Sequence, residues 1–137
     1  MMTFHSRQFG DLEFEETHVF LFPEGIIGFE NLRQFLVVDD EGSQPFRWLV
    51  SLEDGDLSFP LIHPGVVEPG YSIPDVGDAT IFVVALLTDP VEDSSVNLRA
   101  PIVIENKTRT GKQIILEDDG HELQRRLFPS ASQEGKE

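Results

Sequence analysis

The chain of 137 residues contains no cysteine. That excludes disulfides, thiolate nucleophiles, iron–sulfur clusters and cysteine-based zinc sites together. No apolar run approaches the ~20 residues that a membrane helix requires. Met1 to Gly10 lacks the charged, apolar, small-residue order of a secretory signal. These absences lead us to expect a soluble, cytoplasmic protein. Basic residues are scarce: ten Lys and Arg stand against 25 Asp and Glu. Lysine is missing altogether from residues 1–98, which hold three arginines and 18 acids and so carry the whole net charge of −15. Residues 99–137 are balanced, seven against seven. Such a chain repels nucleic acid, whose phosphates require clustered Lys and Arg. It repels an anionic membrane surface as well. A basic protein partner would be attracted, chiefly through a faster encounter that salt suppresses. Solubility alone is the plainer reason for the charge.

What is present is ordinary globular material: 39% apolar and 26% charged residues. The length fits one domain, placed at residues 1–129, with residues 130–137 as a polar tail expected to fray. The dominant pattern has period two and is interrupted by 11 Gly and nine Pro. Leu12 and Phe14 alternate with acids. Val19 to Phe22 is a short apolar run stopped by Pro23 and Gly25. Phe35 to Val38, Phe46 to Ser51, Leu57 to Ile62 and Ile81 to Leu87 read as strands. Pro60 demotes its strand to an edge or a bulge. Ile102 to Ile104 and Gln113 to Leu116 read as a hairpin through 107–112. Glu30 to Arg33 suits one helical turn, His63 to Asp78 a loop, and Leu123 with Leu127 a short helix. Many short strands with frequent turns predict an all-β fold: a small single-domain barrel or sandwich of antiparallel strands, with minor helical turns.

Catalytic signals are weak. His5, His18, His63 and His121 show no metal-ligand spacing. Gly25 and Gly28 form no phosphate-binding fingerprint, and Gly111-Lys112 sits in a hairpin turn with no helix after it. Carboxylates are plentiful, but a working pair needs a set separation and one raised pKa, which sequence does not show. No nucleophile elbow occurs. A non-enzyme without cofactor is the expectation, with a carboxylate-pair hydrolase as a remote alternative. The 11 Phe are the notable excess. Most belong in a core; one or two left on a groove would anchor an apolar helix.

Two segments go further. Phe22-Pro23-Glu24-Gly25-Ile26-Ile27-Gly28-Phe29-Glu30 is one. The other is Asn97-Leu98-Arg99-Ala100-Pro101-Ile102-Val103-Ile104, followed by Gly111-Lys112-Gln113-Ile114-Ile115-Leu116. With Pro45-Phe46 and Leu57-Ser58-Phe59, they resemble the bacterial flagellar assembly factor FliW family over residues 3–128. Pro60, His63 and His121 depart from that pattern. Gly25, Gly28, Phe29, Asn97, Leu98, Ala100, Pro101, Gly111 and Gln113 read as structural. Gly25 and Gly28 suit positive φ, Pro101 can open a strand, and Asn97 can turn the chain.

The resemblance implies a monomeric binding protein with two partners. One is the translational repressor CsrA, whose affinity for flagellin messenger RNA it lowers allosterically. The other is flagellin, which competes for it. The protein itself would touch no RNA. A flagellin chaperone that leaves CsrA unaffected is the alternative. Glu53, Asp54, Asp56, Leu57 and Phe59 are the candidate contacts, with Asp39, Asp40 and Glu41 as steering charges.

Overall fold

Short apolar-rich segments, some alternating with polar residues and some continuous, make strands along most of the chain. The computed structural model describes residues 1–73, 76–117 and 122–128. Strands β1 (Met2–Ser6) and β2 (Gly10–Phe14) pair antiparallel as a separate hairpin. Then come β3 (Phe20–Leu21), β4 (Gln34–Asp39), β5 (Arg47–Ser51), β6 (Ser58–Ile62) and β7 (Thr80–Leu86). They are followed by β8 (Ser95–Val96), β9 (Ile102–Glu105), β10 (Thr110–Gln113) and β11 (Arg125–Arg126). The sheet runs β11-β8-β7-β6-β5-β4-β3-β10-β9, and β9 also pairs with β7. Seven strands, β3 to β7 with β9 and β10, therefore close a barrel. Strands β8 and β11 leave it as a short annex on the end of β7. Pairing is antiparallel except between β10 and β3, which meet in parallel at Thr110↔Leu21. This is the all-β, barrel-type fold expected, with only short helical turns.

Alternation places Phe35, Leu49, Leu61, Phe82, Ile102 and Ile104 in one buried cluster with Phe20, Phe22 and Ile26. A second cluster holds Ile62, Val83, Ala85, Val96 and Leu98, against which Leu127 packs. Neighbours in sequence, such as Phe82 and Val83, thus go to different clusters, as the strand period requires. The annex and its flanking loops cover what would otherwise be the wet face of β6 and β7.

Several local expectations change. Met2–Ser6 is a strand that the sequence pattern did not announce. Residues 30–33 form no helix; Leu32 N–H reaches Phe29 C=O at 3.1 Å in a turn. Within the expected loop, Pro64–Val67 makes one α-helical turn, α1, capped by His63. The second hairpin strand begins at Thr110, opposite Glu105, rather than at Gln113. Beyond it, Ile114 and Leu116 still donate to Pro101 and Arg99 carbonyls at 3.0 and 2.8 Å. Leu123 to Leu127 is not a helix: Arg125 and Arg126 pair with Val96 and Ser95. A spacing of four is also one face of a strand, and here β8 takes the main chain.

Pro60 does not make β6 an edge, because β6 lies between β5 and β7. It does limit the strand. The β6–β7 ladder comprises Leu61↔Val84 and Ile62↔Val83 and goes no further; at Pro60 no amide hydrogen exists to continue it. The expected tail 130–137 and His121 lie outside the described residues.

The hairpin is fastened to the barrel at the turn before β6. Arg7 N–H donates to Gly55 C=O at 2.8 Å, and the Phe9 ring meets Trp48 edge-on at 5.9 Å. A β-carbon at Gly55 would stand 2.7 Å from the His5 carbonyl oxygen. Gly55→Ala is therefore expected to cost about 1–3 kcal/mol and to speed exchange of the Arg7 amide. Urea unfolding and hydrogen exchange measure both. An unchanged midpoint would mean that the hairpin contributes no stability.

Candidate functional site

The glycine-rich segment makes a tight loop between β3 and β4. Gly25 and Gly28 have φ of +67° and +89°, which an L side chain adopts only with strain. Gly25 is also pressed against backbone, since a β-carbon there would lie 2.7 Å from the Phe29 carbonyl oxygen. Phe29 N–H donates to Ile26 C=O at 2.6 Å and closes the loop. Ile26 points into the core, while Ile27 is 51% exposed and Phe29 37% exposed.

The other family-like segments meet this loop. Asn97 Oδ1 accepts from Arg99 N–H and Ala100 N–H at 3.0 and 3.1 Å, turning the chain before β9 and burying Leu98 and Ala100. Gln113, in β10, then joins all three. Its Oε1 accepts from Ile27 N–H at 2.9 Å, and its Nε2 donates to Ala100 C=O at 3.0 Å. No single segment displays this junction in sequence; it exists only when the barrel closes.

Beside the junction lies a groove of about 590 Å³. Its sides are Ser58, Phe59 and Pro60 of β6 and Leu86 and Leu87 at the end of β7. The groove thus opens where the β6–β7 ladder stops at Pro60. Ile26 and Ile27 line it from the loop, and Leu123 and Gln124 from the segment before β11. None of its 15 lining residues carries a charge, in a chain of net charge −15. An aromatic ladder braces it: Phe29 to Phe59 at 5.2 Å, Phe59 to Phe35 at 6.4 Å, and Phe35 to Phe22 at 5.0 Å. The exposed rim therefore rests on a rigid interior.

The structure separates the candidate contacts. Phe59 lines the groove. Leu57 is half-buried next to it, with its N–H on Asp54 C=O. Glu53 folds back so that its Oε1 accepts from the amides of Arg33 and Gln34, tying the start of β4 to this turn. Asp54 Oδ1 accepts from Asp56 N–H at 3.0 Å, leaving Asp56 exposed. Asp39 pairs with Arg47 at 2.8 Å. Asp40 Oδ2 accepts from Ser43 Oγ at 3.0 Å, and that Oγ accepts from Trp48 Nε1 at 2.9 Å. Glu41 is exposed. Glu53, Asp40 and Asp54 thus shape turns, whereas Glu41 and Asp56 are exposed to solvent.

Two histidines serve the backbone: His18 Nδ1 accepts from Glu15 N–H and His63 Nδ1 from Gly65 N–H, while His5 Nδ1 lies 2.9 Å from Asp11 Oδ1. Among the described residues, no three His, Asp or Glu side chains gather as a metal site, and no helix is long and apolar enough to cross a membrane. The groove residues Ile27, Trp48, Leu86, Leu87 and Leu123 were not singled out from sequence. The available signal was Leu86-Leu87, the last apolar pair before the polar stretch from Thr88.

Residues 3–127 match the family model described as FliW protein. The chain belongs to the FliW family. It is 37% identical to the flagellar assembly factor FliW of Caldicellulosiruptor saccharolyticus over 135 residues, covering 90% of this chain and 88% of that one. It is 38% identical to that of Thermosipho africanus, covering 95% and 99%. A crystal structure of the flagellar assembly factor FliW superposes with a TM-score of 0.86 at 33% identity, covering 95% of this chain and 99% of the other. The FliW resemblance drawn from GIIGFE, NLRAPIVI and GKQIIL thus extends to the whole barrel.

Proposed function

We propose that this chain is a cytoplasmic, non-catalytic partner switch in flagellar assembly. It binds CsrA and lowers the affinity of CsrA for flagellin messenger RNA, and flagellin competes with CsrA for it. The observation that supports this most is an uncharged groove on a strongly acidic molecule. Apolar lining suits an amphipathic segment of flagellin, and the surrounding negative field suits a basic RNA-binding protein. Relief of repression needs only a tenfold loss of RNA affinity, about 1.4 kcal/mol of coupling.

The test is a titration of labelled CsrA with this protein, with and without flagellin. Each partner is expected to displace the other, and a stable ternary complex would refute the switch. The CsrA on-rate is expected to fall at least ~10-fold from low to high salt; a salt-independent rate would leave the charge to solubility alone. The groove by itself also suits a flagellin chaperone. That reading predicts flagellin binding with unchanged CsrA–RNA affinity.

A further inference from the structure

The annex has an unusual composition for this chain. Its outer strand β11 is Arg125-Arg126, two of only ten basic residues in the molecule. Both arginines are spent on carboxylates and carbonyls nearby. Arg125 Nη1 lies 3.0 Å from Glu68 Oε1 and 3.4 Å from Glu122 Oε1. Arg126 Nη2 lies 3.6 Å from Asp93 Oδ1 and donates to Glu92 C=O at 3.0 Å. Main-chain bonds from Leu98 N–H to Glu122 C=O and from Leu127 N–H to Ser94 C=O bracket the strand. Leu127 then packs on the second apolar cluster.

The polar attachments lie at the surface. The ladder is two residues long, and the arginine side chains are 35% and 42% exposed, where ion pairs are screened by water and salt. The barrel strands are held on both sides. Segment 122–128 therefore belongs to the part of the molecule that opens first. Its departure bares the main-chain edge of β8, the carboxylates of Glu68 and Asp93, and the seat of Leu127. It also removes Leu123 and Gln124 from the groove wall.

We propose that the β8 edge is a strand-docking site which segment 122–128 occupies as an internal ligand. The external ligand is an extended protein segment with two adjacent basic residues followed by an apolar one, added antiparallel to Ser95–Val96. The chain's own segment specifies that chemistry. The arginines match Glu68 and Asp93, the apolar residue replaces Leu127, and the main chain supplies the ladder.

The probe is a labelled peptide with the sequence of residues 123–128, LQRRLF, added to the full chain. In the wild type the tethered copy competes at high effective concentration. In R125E/R126E the tethered copy faces Glu68 and Asp93 with like charge and detaches. The peptide is expected to bind the variant at least ~10-fold more tightly than the wild type, and LQEELF is expected to bind neither. Equal affinities, or no binding to the variant, overturn the proposal. Hydrogen exchange on the wild type gives a second test that needs no variant. The Leu127 amide is expected to exchange at least ~100-fold faster than amides of β5 and β9. Exchange at the barrel rate would show that the segment opens only with the whole fold. Neither CsrA nor flagellin enters these experiments, so their outcome is separate from that of the partner switch.

Discussion

Replacing Gly111 by alanine is expected to cost about 3 kcal/mol and to lower the thermal midpoint by roughly 10 °C. Gly111 is buried in β10, and the far end of the Phe22 ring occupies the place of its missing side chain: an added methyl would stand less than 3.0 Å from the ζ and both ε carbons of the ring. Phe22 is fully buried and itself contacts Phe35, so the ring can move only by displacing its core neighbours. Its displacement would disturb the ladder through Phe35 and Phe59 that supports the groove. The constraint is steric and not conformational, because the φ of Gly111 is not positive.

The partner of this substitution is therefore identifiable. Phe22→Leu is expected to cost about 1–2 kcal/mol alone, but to make room for the methyl. The double variant should be more stable than the sum of the two single effects predicts, by at least ~1 kcal/mol. Denaturant unfolding of the four proteins measures this. Additive effects would show that the ring and the glycine do not constrain each other.

Gly111 also marks where sequence reading stopped. Positive φ at Gly25 and Gly28, and a turn made by Asn97, follow from local chemistry and were expected. The strand over Phe46–Ser51 follows from period two, and those over Phe35–Val38 and Ile81–Leu87 from short continuous apolar runs. Gly111 differs because its neighbour is 89 residues away in sequence: the residue that excludes a β-carbon is Phe22. Gln113 is similar, with Ile27, 86 residues away in sequence, as its partner. Such reasons are tertiary, and no local window contains them. Strand β11 failed for another cause. Leu123 and Leu127 share a face in a helix and in a strand alike, and only the waiting edge of β8 decides between them. The groove was legible in part. Pro60 signalled a break in pairing, and the excess of Phe signalled an exposed anchor. That the break would fall beside Leu86 and Leu87 depended on the register Leu61↔Val84.

That register makes Leu86 the most informative position for binding. It lies at the end of β7 on the groove, with 58% of its surface open. Leu86→Glu should therefore change the stability of the free protein by no more than about 0.5 kcal/mol. In a complex the same carboxylate would be buried among Ile27, Pro60 and Leu123, where no lining residue carries a positive charge to meet it. An unpaired charge in such surroundings is costly. Under the proposed partner switch, with flagellin in this groove, its binding is expected to weaken at least ~100-fold, about 2.7 kcal/mol, mainly through faster dissociation. Leu86→Met keeps the apolar volume and should bind as the wild type does. Calorimetric titration of flagellin into the three proteins, with melting curves as the control for folding, separates the cases. An unchanged affinity for Leu86→Glu would place flagellin elsewhere on the barrel. Equal losses for Glu and Met would implicate the shape of leucine rather than the uncharged character of the groove.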